Sequence, residues 1–247
     1  MFEPERCQLD SIRDIDKRCI EELGIPGLIL MEHASIGIAL CAKHIFEKSG
    51  DSTSGQKISI FCGPGGNGGD GFAVARHLHS LGAEVQIFDL APESKHQDRQ
   101  INRVICQRLK IPTQPQITTD DIESYKDSTL AIDAILGSGI DRPPEGLLQQ
   151  AIAGINTLDC PVLSVDVPSG LMADSGSTPG EVIQATLTAT LCLPKSGFLS
   201  PKARQLVGEV WICPIGAPPS LLHGNAPTFP PTPIPLQLKP GFPPRSR

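Results

Sequence analysis

The sequence lacks a basic excess: Lys and Arg number 21 against 27 Asp and Glu, a formal net charge of −6 over 247 residues. Phosphate neutralisation needs clustered Lys and Arg, and no basic run here exceeds a pair, which argues against a nucleic-acid-binding surface as the main function and leaves no nucleic-acid partner expected. Long apolar runs are also missing. None approaches the roughly 20 residues that span a bilayer. The opening stretch from Met1 to Arg6 is charged and leads into an amphipathic segment, not a signal-peptide core. No membrane partner is expected. The eight cysteines include no CxxC pair and lie far apart, several inside apolar runs. They read as buried small hydrophobes in a reducing, cytoplasmic setting, not as a disulfide or zinc framework.

Proline and glycine are plentiful, 24 of each, enough to suggest disorder if spread evenly. They are not. Eleven of the prolines fall between Pro214 and Pro244. Residues 217–247 are therefore expected to form an extended or disordered tail that cannot pair into a sheet, and residues 1–216 a single domain.

Within that domain, Leu9, Ile12, Ile15, Cys19, Ile20 and Leu23 recur at helical spacing up to Gly24 and Pro26, which predicts a first helix over 7–23. A second is predicted over 28–48. From Lys57 the pattern becomes strand (58–62), glycine loop (63–71), helix (72–81) and strand (85–90). A charged helix near 95–110 follows, then a short strand near Gln116 to Thr118 and a strand over 129–136. A helix near 147–158 and strands over 161–167, 186–193 and 207–213 complete the pattern. This alternation predicts an α/β fold: a three-layer αβα, Rossmann-like, mostly parallel doubly wound sheet preceded by two helices.

Read loosely, Gly63-x-Gly65-x-x-Gly68 satisfies the dinucleotide fingerprint, and Asp89 sits where a ribose-binding acid would stand. Asp70 complicates that reading, because it puts a carboxylate at the helix entrance. It is either a helix N-cap or a group that orients a ligand. Asp133 and Asp166 interrupt apolar strands near their C-terminal ends, the ligand-binding edge of such sheets. A buried carboxylate must meet a cation, N–H donors or a ligand. Asn67, Asp133 and Ser169 together offer oxygen ligands with one negative charge, a set suited to a singly charged hard cation.

These segments resemble the YjeF N-terminal domain family of NAD(P)H-hydrate epimerases. The resemblance runs from about Leu9 to Pro219 and rests on five segments in family order: Leu30-Met31-Glu32-His33-Ala34, the 63–71 loop with Ala75-Arg76-His77-Leu78, residues 132–139, residues 165–170, and Leu193-Pro194-Lys195-Ser196-Gly197. It implies an isomerase that interconverts the R and S forms of hydrated NADH or NADPH (NADHX, NADPHX), so that a separate dehydratase can repair the S form. It also implies a homodimer and one potassium ion (K+) per subunit on Asn67, Asp133 and Ser169. The implied substrate contacts are Gly66, Asn67, Gly68, Gly69 and Asp70; Gly137, Ser138, Gly139, Ile140, Asp141, Arg142 and Pro143; and Asp166.

Two positions depart from the family pattern: Gly66 replaces the first of two adjacent asparagines, and His33-Ala34-Ser35 replaces an asparagine-alanine-glycine run. The chain has room for the epimerase and not for the dehydratase domain. Epimerisation needs the hydroxyl-bearing carbon, which is bonded to the ring nitrogen, to become planar, either by loss of the hydroxyl to leave an iminium or by ring opening to an aldehyde. Asp166 is the expected acid/base or charge-stabilising group, with Lys195 as a nearby proton donor. A non-catalytic nucleotide- or protein-binding scaffold and a NAD-dependent dehydrogenase are the alternatives.

Overall fold

The computed structural model describes residues 9–115, 126–222 and 235–237. Helices α1 (Leu9–Glu21) and α2 (Gly27–Lys48) precede β1 (Lys57–Cys62). The chain then runs α3 (Gly66–Ser80), β2 (Glu84–Asp89), α4 (Gln97–Arg108), β3 (Thr113–Pro115), β4 (Leu130–Ala134), α5 (Gly146–Ile155), β5 (Val162–Val165) and β6 (Leu187–Leu191). It closes with α6 (Pro201–Arg204), β7 (Glu209–Cys213) and β8 (Leu236–Gln237). The strands form one sheet in the order β3-β2-β1-β4-β5-β6-β7-β8. All neighbours are parallel except β7 and β8, which are antiparallel. The order reverses between β1 and β4, the switch point where doubly wound sheets open a crevice.

Strand alternation divides the core in two. Ile58 and Ile60 of β1, Ile87 of β2 and Ile132 of β4 turn to the face covered by Ile38 and Phe46 of α2 and by Phe72, Ala75 and Leu78 of α3. Phe61, Phe88 and Ala131 turn to the other face, under Ala151, Ile152 and Ile155 of α5. Both faces are covered, so the parallel strands are buried along nearly their whole length. By length and composition α2 is apolar enough to cross a membrane, the one such helix among the described residues. Here it is a core helix, with Ile38 and Ala42 fully buried. Seven of the eight cysteines are free and buried, as expected; Cys7 lies outside the described residues.

The structure differs from the sequence expectations at two places, and a third expectation lies outside the described residues. The glycine loop is shorter than predicted, because α3 begins at Gly66. The strand expected near Gln116 to Thr118 falls on residues outside the description, and β3 lies just before it. Finally, Leu236 and Gln237, inside the stretch expected to stay out of the sheet, pair with Ile212 and Trp211.

Candidate active site

A cleft of about 440 Å³ opens at the C-terminal ends of β1, β4, β5 and β6. The turn between β1 and α3 forms one side. Gly63 is obligatory there, since an added Cβ would lie 1.8 Å from the Ile135 carbonyl oxygen, and one on Gly68 would lie 2.1 Å from the Gly63 oxygen. These contacts bring the start of α3 down onto the ends of β1 and β4. Helix α3 has Gly65 at its cap position and no side-chain cap. Asp70 is therefore not an N-cap; it stands one turn inside the helix. It is 6% exposed, lines the cleft and has no hydrogen-bond partner among the described residues. Burial pushes its pKa well above the usual carboxylate range, and the nearby charges of Asp166 and Asp16 push it further.

Asp166 follows β5 in a left-handed backbone conformation, φ 65°, a strained choice for a residue with a Cβ. That turn aims its carboxylate into the cleft. One oxygen meets the Lys195 ammonium at 2.6 Å and the Leu191 N–H at 3.3 Å; the other accepts from the Ser138 N–H at 2.9 Å. Burial opposes its ionisation, yet the Lys195 charge and the Lys195 and Ser138 hydrogen bonds outweigh that cost and hold its pKa below the ordinary range. Lys195, 2% exposed, is not a turn lysine in solvent. Its ammonium also donates to the carbonyls of Leu191 at 2.9 Å and Leu193 at 3.0 Å. Three acceptors use its three protons, so it acts as a fixed positive charge beside Asp166.

Asp133 and Ser164 are register partners on adjacent strands, and the serine hydroxyl donates to the carboxylate at 2.8 Å. The N–H of Ser169 (2.9 Å), its hydroxyl (2.5 Å) and the Ile135 N–H (3.3 Å) supply the other donors. Asp133 is completely buried and, among the described residues, pairs with no Lys, Arg or His. Burial raises its pKa, partly offset by those hydrogen bonds. Ser169 also accepts from the Leu136 N–H at 2.8 Å, while Asn67 flanks the next residue, Gly137. A Cβ on Gly137 would come within 3.1 Å of both Asn67 Oδ1 and Asp166 Oδ2. Asn67 Nδ2 is buried without a partner.

The expected contacts Gly66, Asn67, Asp70, Gly137, Ser138, Gly139, Ile140 and Asp166 all line the cleft. Gly68 and Gly69 instead serve packing, Gly69 against Met31. Asp141, Arg142 and Pro143 are exposed and stand outside the lining. His33 packs against Gly216 and away from the cleft. The structure adds Asp16 of α1, His96 at the N-cap of α4, and Asp98 of α4. In the sequence they are ordinary polar residues of amphipathic helices; only the packing of those helices over the strand ends brings them here. Asp89 is spent elsewhere, bound to Arg99 and Arg103.

A family model described as YjeF-related protein N-terminus matches residues 27–197. The NAD(P)H-hydrate epimerase of Limosilactobacillus fermentum is 36% identical over 204 residues, covering 81% of this chain and 91% of that one. The bifunctional NAD(P)H-hydrate repair enzyme Nnr of Moorella thermoacetica is 37% identical over 215 residues, 84% of this chain; the match spans only 40% of that longer protein. A crystal structure of the yeast protein YNL200c has the same fold, with a TM-score of 0.80 at 22% identity, covering 94% of this chain and 98% of that one.

Proposed function

The chain belongs to the family of YjeF-related protein N-termini, and from the site it carries we propose that it is an NAD(P)H-hydrate epimerase acting on NADHX and NADPHX. One observation carries the reading. A single cleft at the sheet's switch point holds two buried carboxyls whose surroundings drive their protonation apart, Asp70 towards the neutral acid and Asp166 towards the anion. Such a divided pair is the mark of acid and base assigned by environment.

In the hydrate, the carbon bearing the hydroxyl is also bonded to the ring nitrogen. Neutral Asp70 donates its proton to that hydroxyl. The C–O bond breaks, water departs, and the nitrogen lone pair forms the C=N bond of a planar iminium. The Asp166 anion stabilises the positive ring and takes a proton from the water that adds to the opposite face. Lys195 keeps Asp166 ionised and oriented, as a positioning residue and not as the proton donor.

The donor set of Asn67, Asp133 and Ser169 fits a potassium ion, one per subunit. It supplies a buried carboxylate with no cationic side chain beside it among the described residues, a hydroxyl, and an amide with an unpartnered end. Exchanging the two ends of that amide puts an oxygen at the unpartnered position. When bound, the ion supplies the positive charge that buried Asp133 otherwise lacks.

The dehydrogenase alternative needs a free ribose-binding acid, and Asp89 is consumed by two arginines. The intact acid pair supports an enzyme over a scaffold. The exposed Leu23 (50%) and Ile29 (57%) of the α1–α2 segment support a homodimer through that face. The bifunctional relatives support working with a separate dehydratase, and the buried free thiols support a reducing cytoplasmic setting. The deciding assay supplies the R hydrate with an S-specific dehydratase. This protein is expected to restore reduced cofactor, faster with potassium than with sodium; no restoration rejects the reading.

A further inference from the structure

The family match begins at residue 27, yet α1, which precedes it, sends a carboxyl into the cleft. Ile15 and Cys19 bury against Leu30, Ala34, Cys192 and Leu193 and so fix the rotation of the helix. Glu21 and Glu22 pair along the solvent side with Lys17 and Arg18. Asp16 and Ile20, one turn apart, are left to line the cleft. There Asp16 is open to water, while Asp70 is buried and has no hydrogen-bond partner among the described residues.

We propose that Asp16 is a proton-transfer residue of this site, the relay through which the buried Asp70 carboxyl is reprotonated in each catalytic cycle. The inference rests on the epimerase reading. In the loss and re-addition of water, Asp70 ends a turnover without its proton and Asp166 ends it with one more. No net proton is consumed, but one must be carried back. Asp16 takes up that proton and hands it to the Asp70 carboxylate, restoring both groups.

The charges acting on Asp16 are those of Lys195 and Asp166 from the sheet edge, and Asp16 in turn acts on Asp70 of α3 and on the Cys192 and Cys19 thiols. Asp16 is ringed by protein despite its opening to the cleft, and desolvation raises its pKa to about 6; Lys195 draws it down and Asp166 pushes it up. Both of its protonation states are therefore populated near neutrality, as a relay requires.

The test measures epimerisation of purified hydrate by the wild type, Asp16→Asn and Asp16→Glu, with thermal unfolding followed in parallel. Asp16→Asn is expected to lower kcat by about tenfold or more, leave KM within about twofold, and remove the limb near pH 6 from the kcat profile. Added acetate is expected to restore part of the rate, and Asp16→Glu to retain most of it. Unchanged kcat and pH profile in Asp16→Asn overturn the proposal. So does a loss that acetate does not relieve, which marks a structural role. Should Asp16→Asn fail to fold, the limb must shift in Asp16→Glu, and an unmoved limb overturns the proposal equally. An inactive wild type rejects the functional reading itself; an active wild type with an indifferent Asp16→Asn rejects this inference alone.

Discussion

Asp89 and Asp166 occupy matching places in the fold. Each stands at the C-terminal end of a parallel strand, each is buried, and each meets a basic side chain. They are nevertheless put to different uses. Asp89 is fully buried, and its two oxygens are taken by Arg99 and by Arg103 at 2.7 Å. Arg99 in turn donates to the Gly63 carbonyl at 2.7 Å and lies over the Phe72 ring. That pair fastens the glycine turn to α4. Asp166 has a single ammonium partner, which is itself saturated by carbonyls, and the carboxylate lines a cleft. Burial and pairing are thus common to both carboxylates. What distinguishes them is whether the partners leave the group facing a ligand-sized space.

The contrast can be broken most sharply at Asp166. Asp166→Asn is expected to cut kcat by about 10²–10⁴-fold while the protein still folds, because asparagine tolerates the left-handed backbone there better than most residues and Lys195 keeps its two carbonyl acceptors; a rate within tenfold of wild type contradicts it. Asp89→Asn is expected to do the reverse. Removing one partner of a buried ion pair costs about 3–5 kcal/mol, read as a large fall in the denaturant midpoint, while the folded fraction retains most of its kcat.

The pH dependence of kcat/KM separates the cleft's own pair. Asp166 must be ionised and its pKa is held low, so the rate falls only as pH drops below the ordinary carboxylate range. Asp70 must be protonated and its pKa is raised, so the rate falls again as pH climbs through that raised value.

Asp133 extends the comparison to a buried strand-end carboxylate with no basic partner among the described residues. Potassium, relative to an equal concentration of sodium, is expected to raise the unfolding temperature by about 2–4 °C per kcal/mol of binding, and Asp133→Asn to abolish the difference.

The smallest expected effect is at Gly66. An added Cβ there meets only His96, at 3.6 Å. Gly66→Asn, the residue the family pattern carries, is expected to fold normally and lower KM a few-fold, as initial rates would show.

Much of this was legible in the sequence. Apolar strands interrupted by Asp133 and Asp166 could be read directly, because alternation and the cost of a buried charge are local signals. The start of α3 was not legible. Gly66, Gly68 and Gly69 read as a loop because glycine is a poor helix former, but close contact with the Gly63 backbone requires glycine at Gly68 and outweighs that propensity. Lys195 could be placed near Asp166 only through the family resemblance; its burial depends on acceptors in Leu191, Leu193 and Asp166 that only the folded chain assembles. Asp16 carries no sequence signal at all, since one acid on an amphipathic helix looks like any other.

The two-residue strand β8 has a consequence for the molecule's behaviour in company. A long parallel sheet ends in rows of unpaired backbone groups that recruit strands from other chains. Here β8 covers part of the outer edge of β7, held antiparallel beside Trp211 and Ile212 and preceded by the buried Pro235. At the far edge β3 is only three residues long and ends in Pro115, which has no N–H to offer. Leu236 and Gln237 thus contribute to colloidal safety, because they occupy part of one flank of the sheet that would otherwise be open to another chain.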